Sequence, residues 1–221
     1  MKRTVTPELL DADDWAAPAI DTALGDLRRI NSWFGGFSSM TSILERVARR
    51  AGLQRLSFLD VAGGSGEVAA ETRERLRRRG IELQAVVSDR APSHLRTRLP
   101  GVAGDARALP FRDQSFDVVG SNLFAHHLDP EEIRTFAEES LRVARVAVVV
   151  NDLRRSALHL ALVYAGLPLF RSPMTHQDAP ASVRAAFTLD EMCAILRATS
   201  AARLETSTHY LYRMGVIAWK Q

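Results

Sequence analysis

The clearest pattern in the 221-residue sequence is an alternation of short apolar runs with amphipathic segments. Short apolar runs between turn signals predict buried strands, and apolar positions three or four residues apart predict helices. The predicted strands are residues 56–61, 83–88, 101–103, 116–121 and 144–151, and the helices between them are residues 67–79, 92–99 and 130–143. Strands that alternate with helices predict a mostly parallel sheet with helices on both faces.

The two ends of the chain depart from this alternation. About 55 residues precede the first strand, and they contain two predicted helices separated at Gly35 and Gly36. Near the other end, a capping box that begins at Thr188 opens a helix, and residues 203–210 and 213–219 predict an antiparallel hairpin. The sequence therefore predicts an N-terminal helical cap over residues 1–55 and an α/β domain over residues 56–221.

A long connection follows the fifth predicted strand. About 35 residues separate Asp152 from Thr188; their first half is apolar with helical spacing, and their second half is polar and rich in proline. Such a length exceeds that of an ordinary connection between elements. We therefore expect a lid over residues 153–187.

Composition is ordinary for a globular protein and limits the classes of partner. Hydrophobic residues make up 46% and the formal net charge is only +3. The densest basic cluster, residues 73–79, alternates with Glu71 and Glu74, which favours a solvated helix face over a nucleic-acid surface. Cys193 is the only cysteine, so an intrachain disulfide and a cysteine-based zinc site are excluded, and no metal is predicted.

Targeting signals are not evident. The first 14 residues contain no apolar run of the kind found in signal peptides, and residues 157–170 are too few to span a bilayer. These features predict a cytoplasmic protein without membrane insertion. The sequence leaves a homodimer open.

The strongest single motif is FLDVAGGSGEV at residues 58–68, where an apolar strand runs into a glycine-rich turn and then a helix. Glycine allows a ligand to approach the main chain, and a helix N-terminus offers unpaired N–H groups. The loop alone is not specific, because Gly64, Gly66 and Ala69 also fit the dinucleotide pattern G-x-G-x-x-A.

Three carboxylates narrow the choice of cofactor. Asp60, Asp89 and Asp105 each follow or end a predicted strand, so they should meet at one edge of the sheet. Asp60 would disfavour a pyrophosphate and suits a cationic sulfonium with an ammonium group. Asp89 can accept hydrogen bonds from ribose hydroxyls, and Asp105 can accept one from an adenine amino group. Individually, each could instead cap a helix or order a turn.

These residues also carry a family resemblance. The chain resembles class I S-adenosylmethionine-dependent methyltransferases of the small-molecule type in the segments LDVAGGSGE, VVSDR, GDARALPFRDQSFDVVGSNLFAHHL and LRVARVAVVVNDL. The resemblance implies a Rossmann-like mixed seven-stranded sheet and S-adenosylmethionine as cofactor. It implies this cofactor-binding set: Asp60, Ala62, Gly63, Gly64, Gly66, Asp89, Arg90, Asp105, Ala106, Ser121 and Asn122. Ala62 replaces the first glycine usual in the family, and we expect it to fit with an ordinary φ.

Two adjacent histidines are the leading candidates for a catalytic base. His126 and His127 directly follow the fourth predicted strand, at the expected cofactor edge, and histidine is a suitable base near neutral pH. His176 in the predicted lid is a third candidate, beside Asp178, although a polar surface loop explains both equally well. Asp152 could orient a histidine or cap a helix.

The leading functional interpretation is O-methylation of a small apolar or aromatic molecule, phenolic or polyketide-like, in secondary metabolism. C-methylation of a quinone-like ring is the first alternative. An RNA methyltransferase is disfavoured because Ser121-Asn122-Leu123-Phe124 lacks the Asn/Asp-Pro-Pro-aromatic loop used on base amino groups. A nicotinamide oxidoreductase and a non-catalytic cofactor-binding module are more distant alternatives.

Overall fold

The sheet at the centre of the molecule has seven strands. The computed structural model describes residues 1–11, 17–95, 97–210 and 212–221, and the strand order is β3-β2-β1-β4-β5-β7-β6. The strands are β1 (Arg55–Val61), β2 (Glu82–Asp89), β3 (Gly101–Ala103), β4 (Phe116–Asn122), β5 (Ala144–Leu153), β6 (Arg203–His209) and β7 (Arg213–Trp219). The first five are parallel, and β7 runs antiparallel to both β5 and β6.

Helices cover both faces of this sheet. They are α1 (Ala17–Trp33), α2 (Gly36–Ala51), α3 (Glu67–Arg77), α4 (Pro130–Val143), α5 (Ala157–Gly166), α6 (Pro173–Ala185) and α7 (Leu189–Arg197). One core cluster joins α2 and α3 to one face, and a second joins α4 and α7 to the other. Strands buried on both faces are apolar along their whole length, as β5 is over Ala147–Val150.

The predicted fold class is confirmed, and the elements differ from prediction mainly at their ends. The largest difference is at residues 92–99, where the expected helix is only a three-residue 3-10 turn, Pro92–His94. Two local effects oppose a helix here. The Thr97 hydroxyl accepts a hydrogen bond from the Leu99 amide, and Pro100 disfavours helical geometry at the residue before it. Arg96 lies outside the described residues.

The predicted lid is helical in both halves. Its second half, expected as a polar loop, forms α6 with Pro180 inside the helix. A proline there removes one backbone hydrogen bond. Burial of Met174, Ala181 and Val183 on this helix favours the helical state and offsets that loss. Among the described helices, none combines the length and apolar character that crossing a membrane requires.

Candidate functional site

A cavity of about 1000 Å³ lies at the carboxyl ends of the parallel strands. Ligands of open α/β sheets bind at this edge. One side of the cavity is walled by the loops that follow β1, β2 and β4. The other side is walled by residues of α1, α5, α6 and the segment 1–11. Its apolar lining includes Leu24, Leu27, Ile30, Phe34, Leu162 and Phe170.

The glycine-rich turn after β1 brings the main chain to the cavity wall. Gly64 and Gly66 have φ of 51° and 69°, the left-handed region that glycine occupies without strain. A Cβ atom on Gly63 would lie 2.8 Å from Asp60 Oδ2, so a larger residue would be crowded. Ala62 also has a positive φ, 56°, which corrects the expectation of an ordinary φ. The family's usual glycine would adopt this conformation at lower cost.

Asp60 is a buried carboxylate that receives no hydrogen bond from any residue that the structure describes. Its side chain lines the cavity, is 1% exposed, and leaves both oxygens unpaired among the described residues. Burial, and then the nearby charge of Asp89, raise the pKa of Asp60 to about 7. A buried unpaired polar group is costly, so this one is expected to receive a ligand. A cationic ligand fits it.

Asp89 ends β2 and connects two loops at the cavity. Its Oδ2 atom accepts a hydrogen bond from the Gly64 amide at 3.1 Å, and its Oδ1 atom accepts one from the Ala91 amide at 3.1 Å. The first bond joins this carboxylate to the glycine-rich turn. Ala91, and not Asp89, is the N-cap of the 3-10 turn, so the bond to the Ala91 amide orders the loop before that turn. The carboxylate also lines the cavity.

Asp105 and Ala106 lie at the far end of the same wall, with Arg90. The Asp105 carboxylate is held by Arg107, with Arg107 NH2 donating to Oδ2 at 2.9 Å. This hydrogen bond is the main reason that the pKa of Asp105 falls to about 2. Ionised at neutral pH, Asp105 remains available as an acceptor.

Asn122, at the end of β4, lines the cavity, and its Oδ1 atom accepts a hydrogen bond from Asn151 Nδ2 at 2.7 Å. Ser121 is 1% exposed and its hydroxyl is unpaired among the described residues, but it does not line the cavity. Gly66 is also absent from the lining; it is the N-cap of α3. The structure therefore brings most of the predicted cofactor set to one cavity wall and leaves these two behind it.

His126 is enclosed between two carboxylates. Its Nδ1 atom lies 2.7 Å from Asp152 Oδ1, and its Nε2 atom lies 3.4 Å from Glu8 Oε1. Burial alone would lower the pKa of His126, but the charges and hydrogen bonds of Asp152 and Glu8 raise it to about 10. The imidazole therefore carries both protons at neutral pH, which is the wrong state for a base.

His127 is the more accessible of the pair. Its side chain is 24% exposed, lines the cavity and has its Nε2 atom 4.0 Å from Glu8 Oε2. The potential ligand atoms of Glu8, His126 and His127 all lie within 4.8 Å of one another. That spacing is short enough for the three groups to share one cation.

His176 is separated from the other two histidines. It is exposed on α6, with its Nε2 atom 3.0 Å from the Phe170 carbonyl oxygen, and it does not line the cavity. Asp178 does line the cavity, and its carboxylate accepts hydrogen bonds from the Leu9 and Leu10 amides. The segment 1–11 is thus anchored to α6.

Two site residues escaped the sequence analysis. Glu8 reaches the cavity from the N-terminal segment, where the Ser182 hydroxyl donates a hydrogen bond to it at 2.6 Å. Arg213, the first residue of β7, is fully buried at the cavity wall. An arginine that opens an otherwise apolar strand was the one available signal for the second.

Comparisons with known proteins show which proteins the chain resembles in sequence and in fold. Residues 58–147 match the family model described as a methyltransferase domain. Over 89 residues the chain is 42% identical to the ubiquinone/menaquinone biosynthesis C-methyltransferase UbiE of Dinoroseobacter shibae. That match covers 35% of this chain and 33% of the relative, so the chain spans about a third of the curated relative's length.

Solved structures share the fold at low sequence identity. The plantazolicin methyltransferase BamL, solved with a triazolic desmethylPZN analog and SAH, has a TM-score of 0.68, 12% identity and coverage of 91% of this chain and 90% of its own. A SAM-dependent methyltransferase from Aquifex aeolicus has a TM-score of 0.54 and 17% identity, and the match covers 80% of this chain and 89% of that one. The CMeT domain of the citrinin polyketide synthase has a TM-score of 0.58 and 13% identity, and the match covers 84% of this chain and 52% of that one.

The match and the fold show what class of protein the chain resembles. Residues 58–147 match a methyltransferase domain, and the solved structures that share the fold include methyltransferases described as SAM-dependent or solved with SAH. The site fits S-adenosylmethionine, since Asp60 lines the cavity and offers two buried oxygens, unpaired among the described residues, to a cation.

Proposed function

We propose that this protein transfers the methyl group of S-adenosylmethionine to a small apolar or aromatic acceptor, by O-methylation of a phenolic or polyketide-like hydroxyl. The observation that carries the proposal is the single cavity that joins the glycine-rich turn and its carboxylates to an apolar wall and to His127. A cytoplasmic location and a homodimer are part of the same proposal.

The cofactor half of the cavity supports this assignment residue by residue. The bound cofactor supplies an electrophilic methyl group on a cationic sulfonium. Asp60 would pair with its positive charge, Asp89 would accept from the ribose hydroxyls, and Asp105 with Ala106 would hold the adenine. The turn from Ala62 to Ser65 would hold the amino acid part, with Gly66 behind it as the N-cap of α3. Arg90 and Asn122 line the same cavity, and Ser121 of the predicted set lies behind its wall.

The acceptor half assigns different roles to the histidines. His127 lies at the cavity wall and is our candidate for taking the proton of an acceptor hydroxyl. His126, fixed between Asp152 and Glu8, is a positioning residue that holds its neighbour. His176 is exposed outside the cavity and is no longer a candidate base. Apolar walls favour a reaction in which a phenolate and a sulfonium lose their charges.

C-methylation of a quinone-like ring is the second candidate, favoured by the 42% identical segment shared with a C-methyltransferase. An RNA acceptor is less well supported. Four arginines of the basic helical cluster form ion pairs with glutamates, namely Arg75 with Glu71, Arg77 and Arg78 with Glu74, and Arg79 with Glu45. These pairs offset most of the positive charge that RNA phosphates would need.

A screen with methyl-labelled S-adenosylmethionine tests the proposal. Phenols, quinols and polyketide-like aromatics are offered beside transfer RNA, and products are analysed by mass spectrometry for ether or ring-carbon methylation. We expect label in an aryl ether. Label in a ring carbon would favour the second candidate, and label only in RNA would reject both.

A further inference from the structure

Arg213 is a buried cation at the acceptor side of the cavity. Its guanidinium donates to three neutral oxygens: Nε to the Phe34 carbonyl at 2.9 Å, NH2 to Asn31 Oδ1 at 3.1 Å, and NH1 to Asn122 Oδ1 at 3.5 Å. No carboxylate of the described chain forms an ion pair with it. Asp152 is the carboxylate whose charge it senses, and that group is bonded to His126.

A buried guanidinium without a counter-ion is energetically unfavourable. Burial lowers the pKa of Arg213 to about 10, so the side chain still carries its charge at neutral pH. The charge of Arg213 is felt by the cavity-lining His159, whose pKa is lowered first by burial and, against the hydrogen bond to the Arg154 carbonyl oxygen, by the charges of Arg213 and Arg154. An anionic ligand would remove this unfavourable charge.

The position of Arg213 in the sheet separates it from the glycine-rich turn, although its NH1 contacts Asn122 of the predicted cofactor set. The glycine-rich turn follows β1, whereas Arg213 begins β7, and the strand order places β4 and β5 between them. Three strand spacings of nearly 5 Å put the two about 14 Å apart along the sheet. Around Arg213 the cavity is lined by Phe34, Phe170 and Tyr212.

We propose that Arg213 is the anion-binding residue of the acceptor site, and that the methyl acceptor is a small apolar or aromatic acid held by its carboxylate. The planar guanidinium suits a carboxylate because two parallel N–H groups can donate to its two oxygens. NH1 makes the longest of the three contacts, so it is the group best able to donate to a ligand carboxylate instead. That the bound acid is the methyl acceptor rests on the proposed function, whereas the binding of an anion by Arg213 does not.

Binding of a matched acid and amide tests the site without turnover. We would measure affinities of 2-naphthoate and 2-naphthamide by calorimetry, with and without S-adenosylhomocysteine. The wild-type protein should bind the acid at least about tenfold more tightly, as for one charge-assisted contact. In Arg213→Gln this ratio should fall to near one, while Arg213→Lys should keep part of it. The matched control is Arg145→Gln, which removes an exposed arginine of β5 that pairs with Asp117 of β4. This variant should keep the full ratio.

Three results would overturn the inference. They are equal binding of acid and amide by the wild-type protein, an unchanged ratio in Arg213→Gln, and a loss of S-adenosylmethionine affinity in Arg213→Gln without a change in the ratio. The last would assign the guanidinium to the cofactor carboxylate. Should Arg213→Gln fail to fold, the wild-type pair and Arg213→Lys still decide. Preference for the acid without methylation of any acceptor would reject the proposed function and leave the anion site standing.

Discussion

The carboxylate of Asp152 and the ring of His126 form a buried ion pair, with 2.7 Å between Oδ1 and Nδ1. A second bond joins the same two residues, because the His126 amide donates to Asp152 Oδ2 at 3.0 Å. By accepting both bonds, the Asp152 carboxylate fixes the backbone of the turn after β4 and the ring of His126 within it. The ring is thereby directed with its Nε2 atom towards Glu8 on the N-terminal segment.

Asp152→Asn should lower the free energy of unfolding by about 3–5 kcal/mol, because it leaves a buried imidazolium with one counter-ion fewer. The pKa of Asp152 is lowered and that of His126 is raised to about 10. The stabilisation is therefore present above the ordinary aspartate range and is lost as pH rises through about 10. Urea unfolding at pH 7 and pH 10 should show a deficit that narrows at pH 10. Asp113→Asn, at an exposed ion pair with Arg142, should cost less than about 0.5 kcal/mol at either pH.

The affinity for S-adenosylmethionine should rise as pH increases through about 7, because Asp60 must be ionised to pair with a cation. Asp60→Asn should weaken binding and remove this pH dependence. Calorimetry between pH 5.5 and about 8.5 measures both, and a pH-independent affinity in the wild-type protein would argue against the assignment.

The same substitution should stabilise the protein without its cofactor. The folded-state pKa of Asp60 is above the unfolded value of 3.8, so its favourable contribution is lost as pH rises through about 7. At pH 8, the free energy of unfolding of Asp60→Asn, measured by urea titration, should exceed that of the wild-type protein by about 2–4 kcal/mol. Equal stability of the two proteins at pH 8 would mean that the carboxylate is better solvated than its burial implies.

Asp89→Ala should weaken S-adenosylmethionine binding by about 2–4 kcal/mol, since a charge-assisted bidentate contact to ribose would be lost together with the bond to the Gly64 amide. Folding should survive, because this residue ends a strand at the ligand edge. Calorimetry and thermal unfolding separate the two effects. Early melting with unchanged affinity would leave Asp89 only the structural role of ordering the loop through the Ala91 amide.

His127→Gln should lower turnover by about 10²–10⁴-fold on a hydroxyl acceptor, with little change in cofactor affinity, if this residue takes the proton. The matched control is His176→Gln, which changes an exposed histidine outside the cavity and should keep wild-type turnover. Single-turnover rates with labelled cofactor measure the chemical step. Near-normal rates in the first variant would leave alignment alone as the source of catalysis.

EDTA should leave turnover unchanged, because a histidine base needs no metal. Such a test is informative here because Glu8, His126 and His127 are close enough to share a cation. Activity that falls with EDTA and returns with one divalent cation would replace the base by a metal centre.

Local sequence patterns predicted which residues we assign to the cofactor, because each of them follows or ends a strand that its neighbours make recognisable. The strand, turn and helix from Phe58 to Val68 have turn chemistry that is legible residue by residue, and Asp89 is located by the end of the next strand. The left-handed φ of Ala62 was missed because alanine gives no local sign of it.

The acceptor half was not predictable in the same way, because its residues meet only in the folded chain. Glu8 meets Ser182, 174 residues away, and Arg213 meets Asn31, 182 residues away. No spacing rule joins such positions, and neither residue belongs to a motif. The prediction of a polar loop in the proline-rich half of the connection was wrong for a related reason. That half is the helix α6, which is stabilised by tertiary burial rather than by its local sequence.

The reversed direction of β7 has a consequence for how such a protein can diversify. A parallel strand presents its last residues to the ligand edge, whereas β7 presents its first, Arg213, directly after the turn that carries Tyr212. Changes of length or sequence in that one turn could therefore alter what the acceptor side recognises, while every segment that we assign to the cofactor stays untouched. Selectivity and methyl donation would then be separable traits, open to independent change by mutation or by design.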